Sequence, residues 1–354
     1  MADHPVRFGV LGCATIARKI CRAIALSPNS VLHAIGSRSL DKAARFALEG
    51  GGFSAAAKVY GSYEAVLDDP DVDAVYVPLP TTLHRQWVVA AAEKGKHVLL
   101  EKPAALDSAE LVEMLEACES NGVQFMDASM WEHHSRTAQM RALLSDARCF
   151  GELKLIHCSF TYEADQFFLC NNIRVKPDLD GLGALGDLGW HCIRAMLWAT
   201  GYNLPETIAA WQSPELNTDG VILSCGATLY WKDGMTASFY CSFLTNLTMH
   251  LSVLGTKGNL HLHDFAVPFQ ENISSYYVGS QISEPPVSER TVMNELPQEA
   301  LMVKEFAGLV LGIKGQGLKP EKKWPDICRK TQKVVDAVKA SIEKGFEPVE
   351  IVPP

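Results

Sequence analysis

Short apolar runs and longer amphipathic stretches alternate along the first third of the chain. Val6 to Leu11 reads as a buried strand, and Thr15 to Ser27 as a helix stopped by Pro28. Val31 to Ser37 is a second strand, and Leu40 to Glu49 a second helix ending in Gly50-Gly51-Gly52. A helix over Ser62 to Leu67 precedes a third strand, Ala74 to Pro78. A helix over Leu83 to Lys94 leads to a fourth strand, His97 to Leu100, and a helix over Ser108 to Ser120 to a fifth, Val123 to Asp127. Repeated β-α units of this length predict a parallel sheet with helices on both faces.

The pattern changes near residue 150. Leu153 to Tyr162, Val221 to Trp231, Thr236 to Phe243 and Leu247 to Leu254 are strand-like, and Lys232-Asp233-Gly234 is a hairpin signal between two of them. Helices are expected over Leu185 to Thr200, Glu299 to Leu311 and Ile327 to Lys344. Residues 280 to 295 are polar and contain prolines, which predicts a surface loop. The fold class is therefore α/β, with a parallel-sheet domain over residues 1–128 and a second α/β domain over 129–354 built on a large, mostly antiparallel sheet.

Composition narrows the functional classes. A length of 354 residues suits two domains, and 47% hydrophobic with 21% charged residues is ordinary for a globular protein. A net charge of −9 argues against a nucleic-acid partner, which needs a basic face, yet leaves room for one local basic pocket. Ten cysteines without a C-x-x-C pair fit reduced thiols and give no zinc-ligand spacing, so no metal site is expected. The first residues, Met1-Ala2-Asp3-His4-Pro5, lack the apolar core of a signal peptide, and no apolar run reaches the roughly 18 residues that span a bilayer. A cytoplasmic protein with no membrane partner is the expectation.

The first strand and helix are joined by Gly9-Val-Leu-Gly12-Cys13-Ala14-Thr15-Ile16-Ala17, an approximation to G-x-G-x-x-G/A. Small residues at positions 12, 14 and 17 allow a tight turn, close approach of a pyrophosphate and packing of the helix on its strand, and the helix N-terminus offers unpaired N–H groups. Ala14 replaces the commoner glycine, and a generic tight turn fits the same residues. As the first unit of a doubly wound pattern, the segment points to a dinucleotide-binding Rossmann domain. Where an NAD site carries an acid at the end of the second strand, this chain has Gly36-Ser37-Arg38-Ser39 and then Lys42. Arg38 suits a 2′-phosphate and Ser37 can hydrogen-bond it, although a solvated arginine would look the same. NADP(H) is the expected cofactor, with NAD(H) left open. Leu79, Pro80 and His84 follow the third predicted strand, where ligands bind in open α/β sheets, and His84 is a candidate contact to ribose or nicotinamide or a helix-start histidine without a role.

Glu101-Lys102-Pro103 ends the fourth predicted strand. A lysine there can hold a substrate oxygen, a cationic nicotinamide nearby would lower its pKa, and Pro103 biases it to an extended, fixed aim; alone it reads as a surface residue. Asp187 and His191, in Gly183-Ala-Leu-Gly-Asp187-Leu-Gly189-Trp190-His191, are four apart at a helix start and share a face. The carboxylate can fix the imidazole tautomer and raise its basicity, leaving the other nitrogen as a general base. The bland alternative is a helix-start acid beside a satisfied core histidine.

In this order, the Gly12 turn, the Pro80 to His84 segment, Glu101-Lys102-Pro103 and Gly183 to His191 resemble the Gfo/Idh/MocA oxidoreductases, among them glucose–fructose oxidoreductase, inositol dehydrogenase and dimeric dihydrodiol dehydrogenase. Met130-Trp131 and Asn172-Ile-Arg174 are similar to a plant branch of that family. The resemblance implies an open C-terminal sheet used in a homodimer or higher homo-oligomer, and hydride transfer at a secondary alcohol or ketone of a sugar, polyol or related diol. It implies Lys102, Asp187 and His191 as catalytic residues. It adds Glu101, Trp131 and Arg174 to the cofactor contacts, and Lys102 contacts both cofactor and substrate. A catalytically silent dinucleotide sensor on the same fold is the alternative, but a sensor has no need of the motif lysine.

Overall fold

The computed structural model describes residues 4–50, 56–280 and 287–352. The first three residues, the glycines at 51 and 52 and part of the expected 280–295 loop lie outside them. The chain divides into two units, Met1–Ala105 with Ala109–His134 and Leu296–Cys328, and Leu106–Ser108 with Ser135–Glu295 and Arg329–Pro354.

Among the described residues the first unit carries six strands: β1 (Val6–Leu11), β2 (Ser30–Gly36), β3 (Lys58–Tyr60), β4 (Ala74–Val77), β5 (His97–Leu100) and β6 (Phe125–Asp127). Their order is β3-β2-β1-β4-β5-β6, with every pair parallel. β4 and β5 are buried at every position, and apart from His97 at the start of β5 they read as apolar runs. The helices are α1 (Thr15–Leu26), α2 (Leu40–Glu49), α3 (Tyr63–Asp68), α4 (His84–Glu93) and α5 (Ser108–Ser120). Side-chain oxygens of Ser39 and Ser62 cap α2 and α3. The strand order reverses between β1 and β4, so the turns after these two strands flank the crevice where open α/β sheets bind ligands. β3 was not expected, because three residues carry no alternation. The helix Gln298–Gln316 belongs to this unit, with Phe306 5.8 Å from Phe8, ring to ring.

Among the described residues the second unit contains α6 (Ser135–Ser145), α7 (Gln166–Asn171), α8 (Trp190–Ala199) and ten strands. These are β7 (Leu153–Glu163), β8 (Thr207–Ala210), β9 (Glu215–Leu216), β10 (Ile222–Tyr230), β11 (Thr236–Ser242), β12 (Leu244–Gly255), β13 (Gly258–Leu262), β14 (Ile273–Ser280), β15 (Val287–Met293) and β16 (Val349–Glu350). The order is β15-β14-β13-β12-β7-β11-β10-β8-β16, with β9 beside β10. Among the described residues, β7 and β11 are the only two strands of this sheet that pair in parallel, beside a single parallel bridge from Met249 to Asp264. α8 is buried along its whole length and packs on β7 and β11. The expected surface loop at 280–295 is corrected in its described part: β14 runs to Ser280 and pairs antiparallel with β15. β15 is exposed at six of its seven positions, so its sequence carries no alternation to read. No helix among the described residues is long and apolar enough to cross a membrane.

Candidate active site

The turn after β1 depends on Gly12, which adopts φ +116°. A Cβ there would meet Leu79 Cδ2 at 3.0 Å, so the turns after β1 and β4 approach closely only around a glycine. Ala14 is the N-cap of α1 and gives no side-chain cap, and the first turn of α1 holds no acid. No side chain therefore caps the leading N–H groups of α1, and the Ala17 N–H donates to the Ala14 carbonyl at 3.0 Å. Burial pushes the Cys13 thiol up while the Lys42 charge and the Ser37 hydroxyl pull it down, which puts Ser37 and Lys42 next to the turn. Arg38 and Lys42 are exposed, and Arg38 reaches the Tyr63 hydroxyl, whose pKa burial raises and the guanidinium lowers. Thr15 is exposed and Ile16 half-buried.

Two expected contacts turn inward instead. His84, at the start of α4, is 1% exposed. Its Nδ1 lies 3.1 Å from the Ala104 carbonyl oxygen and its Nε2 2.9 Å from that of Leu79. With both nitrogens on protein carbonyls, the ring braces the Leu79-Pro80 turn against the segment after Pro103 and has no nitrogen left for ribose or nicotinamide. Burial lowers its pKa against the pull of those carbonyls. Glu101 is also buried. It accepts from the Tyr76 hydroxyl at 2.6 Å and from the Lys102 backbone N–H at 3.0 Å. The carboxylate thereby fixes the backbone of Lys102 at the end of β5 while that side chain stays partly exposed. The Lys102–Pro103 peptide is cis. Trp131 lies in the short turn Met130–His133 and is 2% exposed.

In the second unit, Gly183 adopts φ +58°, and a Cβ there would fall 2.0 Å from the Ile222 carbonyl oxygen. The chain can pass β10 at this point only without a side chain. It then makes a π-helical turn, Leu185–Gly189, before α8, so the expected helix over 185–200 has two parts. Such turns recur at functional sites. Asp187 stands in the π turn and His191 in the first turn of α8, and both are buried. Arg174 Nε lies 2.8 Å from Asp187 Oδ1. Arg174 sits on the one-turn helix Ile173–Val175, whose cap is Asn172 Oδ1, accepting from the Arg174 N–H at 3.1 Å. His191 lies 5.8 Å from Phe160, ring to ring, and Tyr162, Phe168 and Phe243 form an aromatic triangle with centroids 5.2–5.7 Å apart. Burial and then the Asp187 charge raise the Tyr162 phenol. The resemblance implies Arg174 as a cofactor contact, whereas its pairing with Asp187 has no signal in the sequence, because no periodicity links residues across an irregular segment.

Among the described residues, His33, Asp69 and Asp71 stand close enough to suggest a metal site. Lys58 Nζ already lies 3.1 Å from Asp69 and 3.3 Å from Asp71, and the Tyr60 hydroxyl donates to Asp69 at 2.9 Å. The group is an ion-pair network at the β2–β3 edge.

Residues 6–129 match the model of an oxidoreductase family with an NAD-binding Rossmann fold, and residues 137–261 match the GFO/IDH/MocA C-terminal domain. The chain belongs to the Gfo/Idh/MocA oxidoreductase family. Among its relatives in that family, dTDP-3,4-didehydro-2,6-dideoxy-α-D-glucose 3-reductase of Actinomadura kijaniata is 31% identical over 346 residues, 98% of each chain. A D-xylose 1-dehydrogenase (NADP+) of Haloferax volcanii is 34% identical over 254 residues, 72% of this chain and 74% of that one. The crystal structure of a 3-ketoreductase from Actinomadura kijaniata with NADP and TDP-benzene is similar at a TM-score of 0.83 and 30% identity, covering 95% of this chain and 98% of the other. As a Gfo/Idh/MocA member the chain is an oxidoreductase with a nicotinamide-dinucleotide domain, and the expected parallel and mostly antiparallel halves are both present.

Proposed function

We propose that the protein is an NADP(H)-dependent oxidoreductase acting between a secondary alcohol and its ketone in a sugar, polyol or related diol. The observation that carries this reading is the partly exposed Lys102, its backbone fixed by Glu101 at the end of β5, in a chain whose family chemistry needs such an amine. Bound NADP+ supplies a hydride acceptor at nicotinamide C4. The Gly12, Cys13, Ala14, Thr15 and Ile16 turn would hold its pyrophosphate, and Ser37, Arg38 and Lys42 its 2′-phosphate. Lys102 is the donor to the substrate oxygen. His191 takes the hydroxyl proton, and Asp187 favours the imidazolium that forms. The related sugar reductase and xylose dehydrogenase support a sugar-type substrate, and the NADP-bound ketoreductase supports NADP(H). We further propose a cytoplasmic homodimer or higher homo-oligomer, with no nucleic-acid or membrane partner.

The test is a turnover screen of sugars, polyols and aromatic diols with both dinucleotides, read by the absorbance of reduced nicotinamide. Turnover with NADP(H) on a member of the panel is expected. Tight NADP(H) binding with no turnover on any of them would instead favour a dinucleotide sensor.

A further inference from the structure

Asp187 has a partner that the catalytic reading did not require. The Arg174 guanidinium lies against it at 2.8 Å, with 33% of the Arg174 side chain and 9% of the Asp187 side chain exposed. Tyr162 from β7 and Asp180 from the segment after the Ile173–Val175 turn also act on Arg174, and His191 stands four residues after Asp187 on α8, with its ring 5.8 Å from that of Phe160 on β7. The charge of Asp187 is the largest influence raising the Arg174 pKa. This corner of the second unit therefore holds a carboxylate and a guanidinium in contact, with an imidazole four residues along.

The physics of that trio bears on the direction of the reaction. A lone buried carboxylate beside an imidazole favours the imidazolium, and an imidazolium cannot take a proton. A guanidinium on the same carboxylate offsets its charge, so the imidazole stays neutral to a lower pH. We infer that Arg174 is a positioning residue that holds Asp187 and keeps His191 in its proton-accepting form near neutral pH, poising the site for alcohol oxidation. The inference rests on the proposed roles of Asp187 and His191. In that oxidation the C–H electron pair leaves as hydride to the oxidised dinucleotide, the O–H proton goes to His191 and the carbonyl bond forms. This role differs from the cofactor contact that resemblance alone implied for Arg174.

The experiment is the pH profile of kcat/KM for alcohol oxidation by the full-length protein, with NADP(H) affinity measured on the same preparations. Arg174→Met should move the acid limb up by about one pH unit or more, the scale for losing an adjacent opposite charge. On that limb oxidation should fall roughly tenfold at fixed pH, while ketone reduction, which needs the imidazolium, gains. Arg174→Lys should return the limb toward its original position, and NADP(H) affinity should hold in both variants. Should the Met variant not fold, Arg174→Gln gives the same readout. A limb that stays in place while the rate falls at every pH would overturn the inference in favour of a structural role. A fixed limb with NADP(H) binding weakened tenfold would overturn it in favour of a cofactor contact. Asp187→Asn separates the layers: normal turnover there sinks the catalytic pair itself, whereas lost turnover there with an unmoved Arg174→Met limb sinks only the role of Arg174.

Discussion

Two corners of the molecule, the Gly12 and Lys102 turns of the first unit and the Asp187 turn of the second, handle charge in opposite ways. In the first, the cofactor end is made of backbone N–H groups and small residues, with its cations, Arg38 and Lys42, out in solvent. The buried acid beside Lys102, Glu101, accepts from a phenol and a backbone N–H, unlike acids elsewhere in the same unit, where Asp73 pairs with Arg7 and Asp69 with Lys58. In the second, buried acids meet guanidinium groups: Arg174 on Asp187 at 2.8 Å and Arg136 on Asp264 at 2.5 Å. Neutral donors around an acid preserve its charge for use on a neighbour. A guanidinium cancels that charge locally, and breaking such a buried pair strands an ion at a cost of about 3–5 kcal/mol. On the proposed reading, binding at the Gly12 end is a property of short turns, while the charge at Asp187 and Asp264 rests on pairs assembled from separate segments.

The largest effect expected from this contrast is at Lys102. Its backbone is fixed by Glu101, so the side chain can change without moving its support. Lys102→Met keeps the reach and removes the donor and the charge. Turnover should fall by about two orders of magnitude or more, the scale for a positioned acid–base or charge-stabilising group. The fold should survive, and NADP(H) affinity should fall only modestly because the proposed pyrophosphate contacts come from the Gly12 turn. Cofactor titration beside steady-state rates checks this, and near-original turnover in a variant that still binds NADP(H) would refute the role.

A smaller effect is expected at Arg38. If cofactor choice in the first unit is local, one exposed side chain should decide it. Arg38→Asp removes a charge-assisted hydrogen bond and adds repulsion, which should weaken NADP(H) about tenfold or more while sparing NAD(H). Equal affinity of the unmodified protein for both dinucleotides would break the argument.

The same contrast governs what the sequence discloses. α2, α5, β1 and β5 fall at their expected bounds because each is a local pattern ended by glycine, proline or a capping serine. β3, β9 and β16 are too short for a period, and β15 is too exposed for one. The residue types of the candidate site were visible, but some of their partners were not. His84 turns inward because carbonyls on two separate turns receive it, and Arg174 reaches Asp187 across an irregular stretch that has no spacing rule. The helix Gln298–Gln316 is legible as a helix, yet nothing local says that its Phe306 packs on Phe8.

The smallest effect, and the one that tests whether the second unit's open sheet face is used, concerns self-association. Along the central strands β10, β11, β7, β12 and β13 the outward positions are filled mainly by Leu, His, Ser, Thr, Tyr, Asn and Gly, with the exposed carboxylate Glu163 at the end of β7. Depletion of full charges is the signature of an interface core rather than of a solvated face, which favours a second copy lying over it. His157, His250, His261 and His263 gather there, with the His250 and His263 rings 4.9 Å apart and Tyr277 5.3 Å from His263. Burial and then the neighbouring histidines lower the pKa of His250 and of His261. The sign follows from linkage: with pKa values below the ordinary histidine value of about 6.5, these groups bind fewer protons in the folded state than in the unfolded chain. Their neutral form is therefore no burden above that pH, and stability is lost as pH falls through and below it. Drying the face under a second copy deepens the effect, so association should weaken several-fold between about pH 7.5 and 5.5, with like charges meeting across the contact. Sedimentation or light scattering at micromolar concentration reads it directly. His250→Gln together with His263→Gln should flatten the pH dependence while leaving association at neutral pH in place. A clean monomer at neutral pH breaks the proposed assembly, whereas a dimer of unchanged strength across that range leaves the assembly standing and removes the histidines from its control.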